Sequence, residues 1–152
     1  MREAVEILLV EDNPADIELT LLALQQHKLA NRIHVVRDGE EALDFLFCRG
    51  GHSQRRPDEA PRLVLLDLKL PKVGGMEVLK EIKNDPRLRP IPVVIMTSSK
   101  EERDLVESYQ LGVNSYIQKP VDFDQFRKVV GQAGLYWLVV NHTAPLSGEE
   151  QV

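Results

Sequence analysis

Residues 63–67 read Leu-Val-Leu-Leu-Asp, four apolar side chains followed directly by a carboxylate. A short run that is apolar at every position is typical of a strand in a parallel sheet that is covered on both faces. Carboxylates are rarely buried unless they are paired or bind a metal ion, so Asp67 is poorly explained as a turn residue. This stretch therefore predicts both a buried central strand and a functional group at its end.

Four similar runs surround this one, and helical segments alternate with them. The predicted strands are residues 7–10, 33–36, 63–66, 93–96 and 115–117. The predicted helices are residues 14–26, 39–47, 75–83, 100–111 and 123–140. Five alternations of strand and helix indicate an α/β domain, a doubly wound (βα)5 unit with a five-stranded parallel sheet.

The composition limits the classes of function. The chain has 152 residues, about one domain, which we assign to residues 1–140, with a polar tail at 141–152 that we expect to be disordered. Its net charge of −5 argues against nucleic acid as a partner. The single cysteine excludes an intrachain disulfide, and we find neither a signal peptide nor a membrane span. We expect a cytoplasmic protein.

Polar groups follow the predicted strands. Glu11 and Asp12 follow the first strand, Asp67 the third, Thr97 the fourth and Lys119 the fifth. Each alone has an ordinary explanation, since such residues form turns and helix caps. Together they place three carboxylates, a hydroxyl and an ammonium at one edge of the sheet, where ligands bind in this class of fold.

Three neighbouring carboxylates repel one another unless a cation lies between them, and oxygen ligands of this kind suit Mg²⁺. An aspartate can act as a nucleophile and form an aspartyl phosphate, with positive charge supplied by the metal ion and Lys119. The chain has no Walker A loop and no G-x-G-x-x-G motif, so the phosphate must come from another molecule.

In sequence order these motifs resemble the receiver domain of two-component response regulators. They are Val10-Glu11-Asp12-Asn13, Leu66-Asp67-Leu68-Lys69-Leu70-Pro71, Gly75, Met96-Thr97-Ser98-Ser99, Gly112, Tyr116 and Lys119-Pro120. The resemblance implies the flavodoxin-like receiver fold with strand order 2-1-3-4-5, an order known for receiver proteins. It also implies a usually cis Lys119–Pro120 bond.

The resemblance implies a role for each matching residue. Asp67 corresponds to the phosphoacceptor, and Thr97 and Lys119 correspond to the residues that contact the phosphoryl group. Thr97 and Tyr116 correspond to the switch pair. The metal ligands, for Mg²⁺ or Mn²⁺, are Glu11, Asp12, Asp67 and the backbone carbonyl of Lys69.

A narrower resemblance concerns the polar loop at residues 49–62 and the Tyr136-Trp137-Leu138 ending, which are similar to those of regulators paired with phytochromes. The implied partners are a sensor histidine kinase, of phytochrome type, and a downstream protein target or phosphotransfer protein. The loop could equally be a tolerated surface insertion. We expect a homodimer through the last helix, because Leu135 to Val140 are apolar on every side.

Other functions on the same pattern stay open. A phosphatase with an aspartate nucleophile would need a second Asp at position 69, where the chain has Lys. A flavin carrier would need a Ser/Thr-rich loop in place of Glu11 and Asp12. A receiver-like module that is never phosphorylated is a third alternative. We expect a signalling protein that catalyses only its own phosphorylation and slow dephosphorylation, and no further cofactor.

Overall fold

A computed structural model describes residues 7–25 and 32–132 of the chain. Five parallel strands form one sheet in the order β2-β1-β3-β4-β5. They are β1 (Ile7–Val10), β2 (Ile33–Val36), β3 (Leu63–Asp67), β4 (Val93–Thr97) and β5 (Ser115–Gln118). The helices are α1 (Pro14–Gln25), α2 (Gly39–Leu46), α3 (Gly75–Asn84), α4 (Lys100–Ser108) and α5 (Phe123–Gln132). The predicted fold class and strand order are confirmed.

The central strands are apolar throughout because helices cover both faces of the sheet. Alternate residues of β1 and β3 enter two separate cores, one on each face. Leu9 and Leu65 pack with Leu24 of α1 and Phe126 of α5. On the opposite face, Leu8, Val64 and Leu66 pack with side chains of α2, α3 and α4. Burial on both sides explains why Leu63 to Asp67 lack any polar alternation.

The structure differs from the prediction by more than one residue at the end of the fourth helix, and it adds short helices within the loop 49–62. The fourth helix ends at Ser108 and not at residue 111, because Tyr109 and Gln110 donate to carbonyl oxygens only three residues back and Gln110 has a φ of 51°. The predicted loop 49–62 contains two short 3₁₀ helices, Gly50–His52 and Pro57–Glu59. The tail 141–152 and the apolar run 135–140 lie outside the described residues.

The loop 49–62 is anchored by two arginines. Arg55 donates to the carbonyl oxygens of Phe45 and Glu59, each at 2.6 Å, and its guanidinium lies 3.6 Å from the centre of the Phe45 ring. Arg87 donates to the carbonyl oxygens of Leu46 (2.7 Å) and Pro57 (3.0 Å). These contacts hold the loop against α2.

Among the described helices, none has the length and apolarity that a bilayer crossing requires.

The end of β3 requires a glycine at the start of α3. A Cβ at Gly75 would collide with the backbone of Asp67 and Leu68, whereas one at Gly74 would meet no atom within 4 Å. We therefore expect Gly75→Ala to lower the free energy of unfolding by about 1–3 kcal/mol, as overpacking does. Gly74→Ala, the matched control, should cost about 0.5 kcal/mol, because glycine caps helices slightly better than alanine. Urea unfolding measures both, and equal losses would contradict the close approach at Gly75.

Candidate functional site

Polar residues that are up to 108 positions apart in the sequence lie together at the carboxyl edge of the sheet. Asp67 and Thr97 are the last residues of β3 and β4, and both are buried. Glu11 directly follows β1 and is fully buried, while Asp12 beside it is exposed. Lys119 follows β5, and its backbone N–H donates to the carbonyl oxygen of Thr97 at 2.7 Å. Because parallel strands all end at this edge, one location collects every one of these groups.

The ammonium of Lys119 lies at the centre of the site. Its Nζ is 3.2 Å from Oε1 of Glu11, 3.3 Å from Oδ1 of Asp67 and 3.1 Å from Oδ2 of Asp16. The Lys119–Pro120 peptide bond is cis, as the resemblance implies. Asp16 is absent from the predicted site. Its position in the first turn of α1, four residues after Asp12, is the signal that could have identified it.

Burial and neighbouring charge shift the pKa values here in opposite directions. Desolvation, followed by the charge of Asp67, raises the pKa of Glu11 to about 7. Desolvation also raises the pKa of Asp67, although Lys119 partly offsets it. Burial by itself would lower the pKa of Lys119, but Asp67, Asp16 and Glu11 together raise it well above its usual value. The ammonium is therefore permanently charged, and it is shared among more carboxylates than it can neutralise.

The carboxylates have room and free lone pairs for a second cation. One oxygen each from Glu11, Asp12 and Asp67 lies within 4.8 Å of the others. Oε1 of Glu11 is buried and accepts no hydrogen bond within the described residues; its contact with Lys119 is an ion pair. A hard divalent ion with oxygen ligands fits this set, and the exposure of Asp12 gives it access from solvent.

A second ion pair connects two loops of the site. Nζ of Lys69 lies 3.1 Å from Oε2 of Glu102, whose Oε1 accepts the backbone N–H of Ser98 at 2.9 Å. Burial would raise the pKa of Glu102, but the Ser98 N–H and Lys69 lower it below its usual value. The loop after β3 is thereby linked to the loop after β4. Glu102 was not among the predicted site residues.

Helix caps show which polar residues are free for chemistry. Oγ of Ser99 caps α4 by accepting the N–H of Glu102, so neither Thr97 nor Ser98 has that role. Oδ1 of Asn13 accepts the N–H of Asp16 at the start of α1. The alternative that Asp12 caps α1 is therefore wrong, and the Asp12 carboxylate is left for the site.

The two residues of the predicted switch pair line one open groove of about 260 Å³. Thr97 is buried, whereas Tyr116 is only partly buried. The guanidinium of Arg103 lies 4.8 Å from the centre of the Tyr116 ring and pairs with Glu107 of the same helix at 3.5 Å. In this structure α4 thus contacts the Tyr116 ring through Arg103.

Comparisons with known proteins agree with this geometry. The family model described as a response regulator receiver domain matches residues 7–131. The chain is 41% identical to "Response regulator Rcp1" of Synechocystis over 132 residues, which cover 87% of this chain and 88% of that one. It is 44% identical to "Probable methanogenesis regulatory protein FilR2" of Methanothrix harundinacea over 137 residues, 90% and 86% of the two chains.

Solved structures show the same architecture. The "Bacteriophytochrome response regulator RtBRR" superposes with a TM-score of 0.84 at 50% identity, covering 94% of this chain and 86% of that one. The Mn²⁺-bound form of Rcp1 superposes with a TM-score of 0.69 at 40% identity, covering 95% and 99%.

The raised pKa of Glu11 predicts how stability depends on pH in the metal-free protein. The folded state retains a proton that the unfolded chain loses above its ordinary pKa of 4.5, so stability falls as pH rises from 4.5 to about 7. We expect a loss of about 1–3 kcal/mol over this range. Glu11→Gln cannot ionise, so its stability should change less. Chemical unfolding in chelator at several pH values tests this, and parallel profiles for the two proteins would contradict it.

Proposed function

Because this chain belongs to the response regulator receiver family, we propose that its buried Asp67 accepts a phosphoryl group from a sensor histidine kinase. The supporting observation is the position of Asp67, whose carboxylate lies at the carboxyl edge of the sheet, 3.3 Å from the permanently charged Lys119. The protein is a receiver-type response regulator, and phosphorylation is the input that this site is suited to receive.

In the proposed reaction, an Asp67 oxygen forms a bond to phosphorus while the bond from phosphorus to the donor imidazole breaks. Lys119 contacts Glu11, Asp16 and Asp67 in the resting site, so its ammonium can turn toward the incoming phosphoryl oxygens without leaving the site. The Thr97 hydroxyl, at the end of the neighbouring strand, donates a hydrogen bond to the same oxygens. Phosphoryl transfer requires oriented reactants and positive charge near the phosphoryl oxygens, and it does not require an acid–base group.

A divalent ion completes the proposed site. Glu11, Asp12, Asp67 and the Lys69 carbonyl would hold it, and the Mn²⁺-bound structure of Rcp1 shows that such a relative binds one. When bound, the ion neutralises the charge that develops on the phosphoryl oxygens. Mg²⁺ and Mn²⁺ both prefer these oxygen ligands.

The output is proposed to depend on Thr97 and Tyr116. A phosphoryl group that draws Thr97 toward Asp67 opens space in the groove for the Tyr116 ring. That movement requires the contact between Arg103 and Tyr116 to break. Phosphorylation thus shifts the balance between two positions of one aromatic ring.

The proposed partners are proteins. The similarity to RtBRR supports a kinase of the bacteriophytochrome type. FilR2, a relative of similar sequence identity, is instead named as a probable methanogenesis regulatory protein. We expect the exchange to occur in the cytoplasm, where kinases bind ATP. The net charge of −5 disfavours nucleic acid as a partner, and catalysis is limited to the protein's own phosphorylation and dephosphorylation.

Asp67→Asn tests the proposed function directly, because it keeps the shape of the side chain and removes its nucleophilic charge. The wild type should gain one phosphoryl group from acetyl phosphate with Mg²⁺, or from a phosphorylated bacteriophytochrome kinase, and lose this labelling in chelator. Asp67→Asn should gain none. Asp58→Asn, an exposed aspartate paired with Arg56, is the matched control and should label normally. Intact mass spectrometry measures all three, and labelling of Asp67→Asn at the wild-type rate would overturn the assignment.

The homodimer through residues 135–140 stays a prediction from the sequence, since that run lies outside the described residues. Trp137→Glu should weaken association, because a charge in an apolar interface must lose its hydration. Sedimentation of both proteins, each with and without a phosphoryl mimic, measures the change. A wild type that stays monomeric at tens of micromolar would contradict the prediction.

A further inference from the structure

Two histidines and a glutamate lie together at the β2 edge of the sheet. His34 belongs to β2, Glu41 to α2 and His52 to the first 3₁₀ helix of the loop 49–62. One potential ligand atom of each lies within 4.8 Å of the others. Three elements that are separate in sequence thus converge on one point, away from the carboxylates around Asp67.

The spacing of two of these side chains already suits a metal ion. Nε2 of His52 lies 3.3 Å from Oε2 of Glu41. Two ligands of a tetrahedral ion with bonds of about 2.0–2.1 Å are separated by about 3.4 Å. The third ligand atom, from His34, lies within 4.8 Å of the other two and completes a set of three protein ligands.

Packing orients both imidazoles. The His34 ring stacks on Phe45 with centroids 4.5 Å apart and an angle of 24° between planes. The His52 ring meets the same phenylalanine edge-on, at 5.2 Å and 73°. Because both rings rest on one buried side chain, little conformational freedom remains to be lost when they bind an ion.

Burial favours His34 as a neutral nitrogen ligand, and Glu41 supplies negative charge for a bound cation. Burial lowers the pKa of His34, and the charges of His52 and Arg55 lower it further against the opposing effect of Glu41. These effects favour the neutral imidazole of His34, which is the form that coordinates metals. The side chain of Glu41 is 42% exposed and that of His52 is 18% exposed, so an ion can enter from solvent. The Arg55 guanidinium, the nearby competing charge, stacks on Phe45 and donates to the carbonyl oxygens of Phe45 and Glu59.

We propose that His34, Glu41 and His52 form a second metal site, selective for Zn²⁺ over Mg²⁺, that fastens the loop 49–62 to the edge of the sheet. Two imidazoles and one carboxylate, with water as the fourth ligand, are a common zinc ligand set. Imidazole nitrogen favours zinc and its neighbours in the transition series, whereas the all-oxygen site around Asp67 favours Mg²⁺ or Mn²⁺. The two sites therefore take different ions.

The test is a titration of the full chain with Zn²⁺ in saturating Mg²⁺, followed by calorimetry, and a parallel titration with Co²⁺ followed by visible absorption. We expect one ion per chain and imidazole-type Co²⁺ bands. His52→Gln, His34→Gln and Glu41→Gln should each weaken binding at least tenfold. His27→Gln and His142→Gln, which change the other two histidines of the chain, are matched controls and should bind as the wild type does. Asp12→Ala should also retain tight Zn²⁺ binding.

Retained affinity in His52→Gln, or loss of it in Asp12→Ala, would assign the ion to the acidic site and overturn the proposal. An equal loss in either histidine control would overturn it as well. Circular dichroism and urea unfolding verify that each variant is folded. Should His34→Gln fail to fold, His52→Gln and Glu41→Gln decide the question, since their side chains are accessible. The result is independent of whether Asp67 is the phosphoacceptor.

Discussion

One ammonium among three carboxylates is the interaction on which the rest of the site depends. Lys119 contacts Glu11, Asp16 and Asp67 within 3.3 Å, and without it these acids would repel one another. Burial, followed by the charge of Asp67, raises the pKa of Glu11 to about 7, and the single positive charge of Lys119 offsets these effects only in part. The folded protein thus retains an excess of negative charge at this point. That excess favours the binding of a further cation at the same edge of the sheet.

The ends of β3 and β4 and the beginning of α4 are held in position by different kinds of contact. Asp67 and Thr97 are the last residues of buried strands, and their backbones are fixed by pairing and by two cores. The beginning of α4 is different, because polar contacts with its neighbours hold it in position. Glu102 pairs with Lys69, and Arg103 stacks on Tyr116. Val106 is the one buried residue of α4, so apolar burial contributes less to holding this helix than it does for β3 and β4.

The loop 49–62 adds a second organised region, beside α2 and far from β5 in the order of the sheet. Arg55 and Arg87 fix it through four backbone carbonyl oxygens, so it is ordered by defined hydrogen bonds. Its one contribution to the proposed second metal site is His52, which reaches His34 and Glu41 because of that anchoring. The proposed metal site would therefore give a function to the conformation of this loop, which could otherwise be explained as a tolerated insertion.

The sequence by itself determined the fold class, the residues at the carboxyl edge and, through the resemblance, the strand order. These follow from local patterns, since a short apolar run indicates a buried strand and Asp67 marks the polar end of that strand. The partners of Lys119 were only partly accessible in this way, since Asp16 was missed, and Glu102 and the cluster around His34 were not accessible. Their contacts join side chains from different elements, so they depend on crossing angles and rotamers that periodicity does not encode. The end of α4 at Ser108 was missed as well, because Gln110, which is not a glycine, adopts the left-handed conformation after this helix. Tertiary structure decided these features because each depends on distances of a few ångströms between elements that are far apart in the chain.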